Sequence, residues 1–235
     1  MELEIIYRDQ YLLAVNKPAG LLVHRSALAG DATEFAVQIL RNQVGQHVFP
    51  AHRLDRKTSG VLLFSLDKNT DAALQHLFAT GKIHKTYLAI VRGYTEKEGR
   101  IDYPLKKENG TYQQAATNYS TLATAELGFP SHTHISSRYS LVKVNPETGR
   151  MHQIRRHFAH ILHPIIGDRP HGCNKQNRLF LEKFSLREMM LHASQICFVH
   201  PQTNEKLSIA AKPGSEFIRI AGVMGWRSEE QTPFM

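Results

Sequence analysis

Residues 51–60 have the sequence Ala51-His52-Arg53-Leu54-Asp55-Arg56-Lys57-Thr58-Ser59-Gly60. This stretch places one carboxylate, Asp55, between two arginines, and the apolar run Val61-Leu62-Leu63-Phe64 follows it. An apolar run of that length after a Thr-Ser-Gly turn predicts a buried strand. The carboxylate therefore belongs to a basic loop on a rigid strand, and such loops commonly carry chemistry. The alternative is a surface salt-bridge cluster, which typically contributes under about 1 kcal/mol.

The composition is that of a globular protein with a basic surface. The chain has 235 residues, of which 42% are hydrophobic and 21% are charged, and this balance suits one domain or two closely packed lobes. A net charge of +8 favours a polyanionic partner. The acidic N-terminus lacks the features of a signal peptide, and no apolar run approaches membrane-spanning length. With only two cysteines, we expect a cytoplasmic protein without disulfides and without a membrane partner.

Three further segments carry residues suited to a site. Pro18 and Gly20 force a bend after Lys17, so this segment is at least a turn. The run from Lys85 to Gly93 is rich in β-forming residues and predicts a central strand with Tyr87 near its start. The densest basic element runs from residue 150 to residue 160; if it is helical, Met151, Ile154 and Phe158 share one face. By themselves, these patterns are also typical of a turn, a packed tyrosine and a solvated basic helix.

The motifs together resemble the RluA-type pseudouridine synthases. The resemblance rests on His-Arg-Leu-Asp-x-x-Thr-Ser-Gly at residues 52–60, Asn-Lys-Pro-x-Gly at 16–20, Lys-x-Tyr-Leu-Ala-x-Val-x-Gly at 85–93 and Gly-Arg-x-His-Gln-Ile-Arg at 149–155. It implies that Asp55 is the catalytic aspartate, that Tyr87 is the active-site tyrosine and that Arg155 pairs with the aspartate. His171 stands where the family commonly has a tyrosine.

The resemblance also implies the fold. We expect an α+β pseudouridine synthase catalytic fold, with a mixed, mostly antiparallel central sheet, flanking helices and a central RNA-binding cleft. We assign residues 1–235 to a single catalytic domain without a separate N-terminal RNA-binding domain. The chemistry of the family needs no cofactor and no metal. His160, His163, Asp168 and His171 are imaginable metal ligands, but their spacing matches no recognised zinc pattern.

The expected substrate is a uridine in tRNA, because residues 47–56 and 155–160 look most like a branch that modifies the T arm near the acceptor stem. We expect a monomer that flips the uridine out of its stack. Two alternatives stay open: a synthase acting on large-subunit ribosomal RNA, and a non-catalytic RNA-binding module on the same fold. The residues predicted to bind RNA or substrate are His52, Arg53, Arg150, His152, Arg156 and Lys17.

Overall fold

A computed structural model describes residues 1–25, 33–130 and 135–226. It divides the chain into two compact units. Unit 1 combines Met1–Lys85 with Ala193–Lys212, and unit 2 combines Thr86–His192 with the segment that begins at Pro213. Because each unit contains two separate stretches of chain, the division is not a linker between consecutive domains. The assignment of residues 1–235 to a single domain stays a prediction.

The elements of the described residues are, in chain order, β1 (Glu4–Arg8), β2 (Leu12–Lys17), α1 (Ala36–Val44), β3 (Phe49–Pro50), β4 (Ser59–Ser65), α2 (Lys68–Ala79), β5 (His84–Arg92), β6 (Glu98–Asp102), β7 (Leu105–Lys106), β8 (Tyr112–Gln113), β9 (Ala116–Leu127), β10 (Ser137–Pro146), α3 (Gln153–His160), α4 (Asn174–Phe184), β11 (Leu191–Val199), β12 (Lys206–Ala210) and α5 (Ser215–Val223). Helices and mostly antiparallel strands without a regular βαβ alternation make this an α+β fold, as predicted.

Unit 1 is built on two strands that are buried along nearly their whole length. β2 pairs antiparallel with β1 on one side and with β4 on the other, and the short strand β3 also pairs with β4. Leu12, Leu63 and Leu74 of α2 belong to one core cluster and are fully buried. The apolar run 61–64 is therefore the buried strand that the sequence predicts, and it anchors the loop that precedes it.

Unit 2 contains the antiparallel strand order β5–β10–β9–β6. Ile154 and Phe158 of α3 pack into its core, together with Phe180 of α4. Met151, which the helical pattern also places on this face, precedes the helix and is 56% exposed. That part of the prediction is wrong, because the chain becomes helical only at Gln153.

Two segments of unit 2 differ from the sequence prediction. Residues 106–114 are polar and carry a Glu-Asn-Gly-Thr turn signal, which predicts a flexible loop. They contain instead β8 and the end of β7, which form a small hairpin. Residues 172–185 mix polar and apolar residues, which predicts irregular structure, but they contain the three-turn helix α4.

Candidate active site

Asp55 lies on the loop between β3 and β4 and is partly exposed. The backbone carbonyl of Asp55 accepts a hydrogen bond of 3.0 Å from the N–H of Thr58, which closes a turn around the carboxylate. The neighbouring side chains of Leu54 and Thr58 are buried, at 7% and 3% exposure. The backbone on both sides of Asp55 is therefore anchored, while its carboxylate remains accessible.

Lys17, at the end of β2, stabilises this loop through hydrogen bonds made by its buried ammonium group. Its Nζ donates to the carbonyl oxygens of Pro18, Leu21 and Arg56 at 2.8, 2.9 and 3.2 Å. The side chain is fully buried, and burial lowers the pKa of Lys17 to about 7, although the nearby Asp55 charge acts in the opposite direction. Three carbonyl acceptors match the three N–H donors of an ammonium ion.

This geometry argues against the predicted RNA contact by Lys17. All three ammonium donors are used within the protein, and the side chain is inaccessible to a phosphate. Lys17 instead ties the 18–21 bend to the loop that carries Asp55. Two further bonds reinforce the connection, from the Gly20 N–H to the Arg56 carbonyl at 2.8 Å and from Arg56 Nε to the Gly20 carbonyl at 3.0 Å.

His52 and Arg53 precede the aspartate and differ in their surroundings. The Nε2 atom of His52 accepts a 3.1 Å hydrogen bond from the N–H of Leu63, and its ring packs 5.1 Å from that of Phe78. Burial, helped by the charge of Lys85, lowers the pKa of His52 to about 3. A neutral His52 contributes no positive charge toward a phosphate at neutral pH. Arg53 is exposed and keeps its cationic group on the surface.

Tyr87 lies on β5 in unit 2, opposite Val144 of β10. Its ring is half-buried and packs against the hydrophobic core of this unit. Tyr87 is therefore supported by the core and remains partly exposed.

Arg155 lies in the first turn of α3 and forms a buried ion pair with Asp168. Its Nε donates to Oδ2 of Asp168 and its Nη2 donates to Oδ1, both at 2.8 Å. The side chains of Arg155 and Asp168 are only 7% and 1% exposed. The sequence pattern did not identify Asp168 as a partner, because it follows thirteen residues later, beyond the end of the helix.

Gln153, the first residue of α3, holds the segment that leads into the helix. Its Oε1 accepts from the Thr148 hydroxyl at 2.6 Å and from the Arg150 N–H at 3.0 Å. Its Nε2 donates to the Ala116 carbonyl at 2.9 Å and to the Thr117 hydroxyl at 3.0 Å. A buried amide with four partners fixes the start of the helix, and so the position of Arg155, against β9. Sequence reasoning missed this role, although Gln153 lies within the quoted motif.

The remaining predicted RNA contacts of unit 2 surround the N-terminal end of α3. Arg150 is exposed and its Nε donates to the Gln114 carbonyl at 3.1 Å, while Arg156 is half-buried. His152 has a left-handed backbone φ of 54°, and its Nδ1 lies 2.9 Å from Nε2 of His171. Burial lowers the pKa of His171, which favours a neutral ring that shares one proton in this hydrogen bond.

The predicted site residues thus fall into two groups. Unit 1 contains Asp55, His52, Arg53 and Lys17, and unit 2 contains Tyr87, Arg155, Arg150, His152 and Arg156. The ion pair between Asp55 and Arg155 stays a prediction.

Three of the four residues considered above as metal ligands have other partners. Asp168 is bonded to Arg155, His171 to His152, and the His160 ring stacks on Tyr103 at 3.6 Å. Over residues 1–25, 33–130 and 135–226, no group of three or more His, Cys, Asp or Glu side chains is arranged to hold a metal ion. Over the same residues, no helix combines the length and apolar character needed to cross a membrane.

Comparisons with known proteins identify relatives of similar sequence and fold. A family model described as RNA pseudouridylate synthase matches residues 11–160. The tRNA pseudouridine synthase C of Vibrio cholerae is 48% identical over 236 residues, which cover 96% of this chain and 97% of the relative. The protein of the same name from Haemophilus ducreyi is 47% identical over 236 residues, with the same coverage. The solved structure of human RNA Pseudouridylate Synthase Domain Containing 4 has a TM-score of 0.72 and 25% identity, and covers 94% of this chain and 93% of that chain.

Proposed function

Because the chain belongs to the RNA pseudouridylate synthase family, we propose that it isomerises a uridine of tRNA to pseudouridine. Relatives named tRNA pseudouridine synthase C match it over nearly its full length, which supports tRNA as the substrate. The observation that carries the proposal is the accessible Asp55 carboxylate on a loop that Lys17 fastens through three carbonyl groups. We further propose that the target lies in the T arm near the acceptor stem.

The reaction breaks the bond between ribose C1′ and uracil N1 and then joins C1′ to C5; the proton lost from C5 is balanced by a proton gained at N1. Asp55 is the proposed carboxylate at the ribose, either as a nucleophile or as a base that removes a ribose proton. Tyr87 is proposed to stack on the uracil and to assist transfer of the C5 proton. Arg155 is proposed to hold Asp55 through a charge-assisted hydrogen bond. A uridine in a stem must leave its stack to reach these groups.

Three arginines that are exposed or half-buried are proposed to hold the tRNA backbone around this site. Arg53, Arg150 and Arg156 can neutralise phosphates, because arginine presents several donors in a planar group. His52 and His152 are proposed to contact RNA as hydrogen-bonding groups. Since phosphate contacts position a nucleic acid without reading its sequence, these residues set orientation more than target choice.

The test is release of tritium from tRNA transcripts labelled at uracil C5. The wild-type protein should release tritium, and Asp55→Asn and Asp55→Ala should lower the rate by at least about 10²-fold, as expected for loss of a group that acts on the reacting atoms. Glu2→Gln, which removes an exposed carboxylate of the same unit, should keep the wild-type rate. Near-normal release by Asp55→Ala would overturn the assignment.

Mapping of pseudouridine distinguishes the alternative substrates. Bulk tRNA from cells without the protein should lack one pseudouridine in the T arm and regain it on incubation with the protein. A modification that disappears from large-subunit ribosomal RNA instead would contradict tRNA as the substrate. RNA binding without tritium release would identify a non-catalytic RNA-binding module.

A further inference from the structure

Two exposed aromatic rings of unit 2 stack on each other at the C-terminal end of α3. The centroids of the Tyr103 and His160 rings lie 3.6 Å apart, and the ring planes differ by only 16°. Both residues are exposed, Tyr103 at 39%. Aromatic pairs usually prefer an offset or edge-to-face arrangement, because the faces of both rings are negative. A closely parallel pair that is also exposed leaves flat aromatic surface open to the solvent.

A buried histidine holds the backbone of Tyr103 in place. Burial lowers the pKa of His157, which favours a neutral ring with one N–H. Its Nε2 lies 3.0 Å from the Tyr103 carbonyl, which can only accept, so Nε2 is the donor. Its Nδ1 then accepts from the Thr117 hydroxyl at 2.9 Å. The Tyr103 N–H donates in turn to the Ala115 carbonyl at 3.2 Å, so both backbone polar groups of the tyrosine are engaged.

The charges beside the ring pair suit a nucleic acid strand. Arg156 precedes His160 by four residues on α3, so the two side chains are neighbours on one face of the helix. The carboxylate of Asp102, which precedes Tyr103, is bonded to Arg100, and this ion pair weakens its repulsion of a phosphate. Exposed ring faces beside a cation are the combination with which proteins bind unpaired nucleotides.

We propose that the rings of Tyr103 and His160 form one stacking platform for an unpaired base of the substrate tRNA, with a phosphate of the same strand near Arg156. This inference rests on the proposed function. The stacked base belongs to a nucleotide other than the isomerised uridine, because Tyr87 is the residue proposed to stack on that uracil. Since every base has a flat face, the platform recognises an unpaired nucleotide and not a particular base.

The test measures the Kd of tRNA transcripts by filter binding, with variants that circular dichroism shows to be folded. Tyr103→Leu keeps a large apolar side chain but removes the flat ring. We expect its Kd to rise at least about fivefold, the loss that follows removal of one base–aromatic contact. Tyr103→Phe keeps the ring and should bind like the wild-type protein. If the pair only packs within the protein, Tyr103→Leu should also bind like the wild type, and that result would overturn the inference.

The salt dependence separates stacking from a phosphate contact. Stacking neutralises no phosphate, so Tyr103→Leu should weaken binding at every salt concentration and leave the slope of log K against log salt unchanged. Arg156→Ala should instead reduce the slope by about 1. A slope that falls as much in Tyr103→Leu as in Arg156→Ala would overturn the stacking assignment.

His160→Leu covers the case in which Tyr103→Leu does not fold. It removes the second ring of the platform at the end of α3, and we expect its Kd to rise at least about fivefold as well. His160→Phe should restore wild-type binding, because it returns a flat ring. A wild-type Kd for folded His160→Leu would equally overturn the inference.

Tyr94→Ala is the matched control. Tyr94 is an exposed tyrosine of the same unit, at 44%, and its hydroxyl is bonded to Glu126. We expect a wild-type Kd from this variant. Failure of the wild-type protein to bind tRNA or to release tritium would overturn the proposed function, whereas a wild-type Kd for folded Tyr103→Leu would overturn this inference alone.

Discussion

His52 shows how one half-buried side chain combines a structural contact with sensitivity to acid. Its Nε2 accepts the Leu63 N–H, so the folded protein needs a neutral imidazole at this position. The pKa of His52 is lowered to about 3, whereas an unfolded chain has the ordinary histidine value of 6.5. Between these values the unfolded state binds a proton that the folded state does not. The contribution of neutral His52 to the free energy of unfolding is therefore fully present above about pH 6.5. It is lost as the pH falls toward 3.

The variant His52→Gln should remove this dependence, because the glutamine Oε1 can accept the Leu63 N–H without titrating. Between pH 7 and pH 4, we expect the wild-type protein to lose on the order of 3 kcal/mol more free energy of unfolding than this variant. Urea denaturation at the two pH values measures the difference. The exposed His47→Gln is the control and should follow the wild-type protein. Equal losses in wild type and His52→Gln would contradict the prediction.

For individual residues, the sequence identifies candidate site residues more readily than the hydrogen-bond partners of those residues. Asp55, Tyr87 and Arg155 come from motifs whose family is confirmed by the comparisons. The turn signal at Pro18 and Gly20 is correct, but it does not show that Lys17 is buried among three carbonyl groups. Such contacts depend on the path of the chain between distant positions, which local patterns do not contain.

Among the elements, the strand β4 depends on a backbone conformation at Gly60. This residue has a φ of 109°, in a region that side chains disfavour. A Cβ atom there would lie only 2.1 Å from the Ala193 carbonyl oxygen of β11. The glycine of the Thr-Ser-Gly turn is therefore required for the approach of these two strands.

Gly60→Ala should destabilise the protein by about 3 kcal/mol or more, since backbone strain and overpacking each cost about 1–3 kcal/mol. Tritium release should fall with it, because the same turn supports the loop of Asp55. The change in free energy is measured by urea denaturation. Gly128→Ala, where an added Cβ meets no atom within 4 Å, should change stability by less than about 0.5 kcal/mol. Similar effects of the two substitutions would exclude the steric explanation.

The predictability of the elements follows the strength of their apolar patterns. Phe35, Ile39, Leu40 and Val44 recur at helical spacing, which predicts a helix that ends at Gly45. That end is confirmed, since Gly45 follows α1 with a φ of 70°. For α2, the sequence predicts a cap at Asn69 or Thr70, which is wrong by less than one turn, because Asp67 is the cap and accepts the Thr70 N–H at 2.8 Å. Helix α4 was missed because it buries only Gln176 and Phe180, too few positions for a clear period.

For the molecule as a whole, the net charge of +8 and a pI near 9.5 favour a polyanion. Individual cations differ in how much of their charge is available. Arg100 is bonded to both Asp102 and Glu147, whereas Arg150 is exposed and donates to an uncharged carbonyl. The local partners, more than the total charge, therefore determine which arginines attract phosphate.

The salt dependence of tRNA binding tests this distinction. Arg150→Ala and Arg156→Ala should each weaken binding and reduce the slope of log K against log salt by about 1, because each removes one phosphate contact. Arg100→Ala should leave the slope unchanged, since two carboxylates already neutralise its charge. Filter binding at several salt concentrations gives the slopes. Equal slopes for Arg100→Ala and Arg150→Ala would refute the assignment of these contacts.

The two-part construction of unit 1 has a consequence for synthesis on the ribosome. The loop of Asp55 emerges early, but the strand that Gly60 approaches begins at Leu191, more than a hundred residues later. At about 5–20 residues per second, the nascent chain waits on the order of ten seconds for that strand. The carboxylate-bearing loop therefore acquires this support only after β11 has been synthesised, well after the loop itself has left the ribosome.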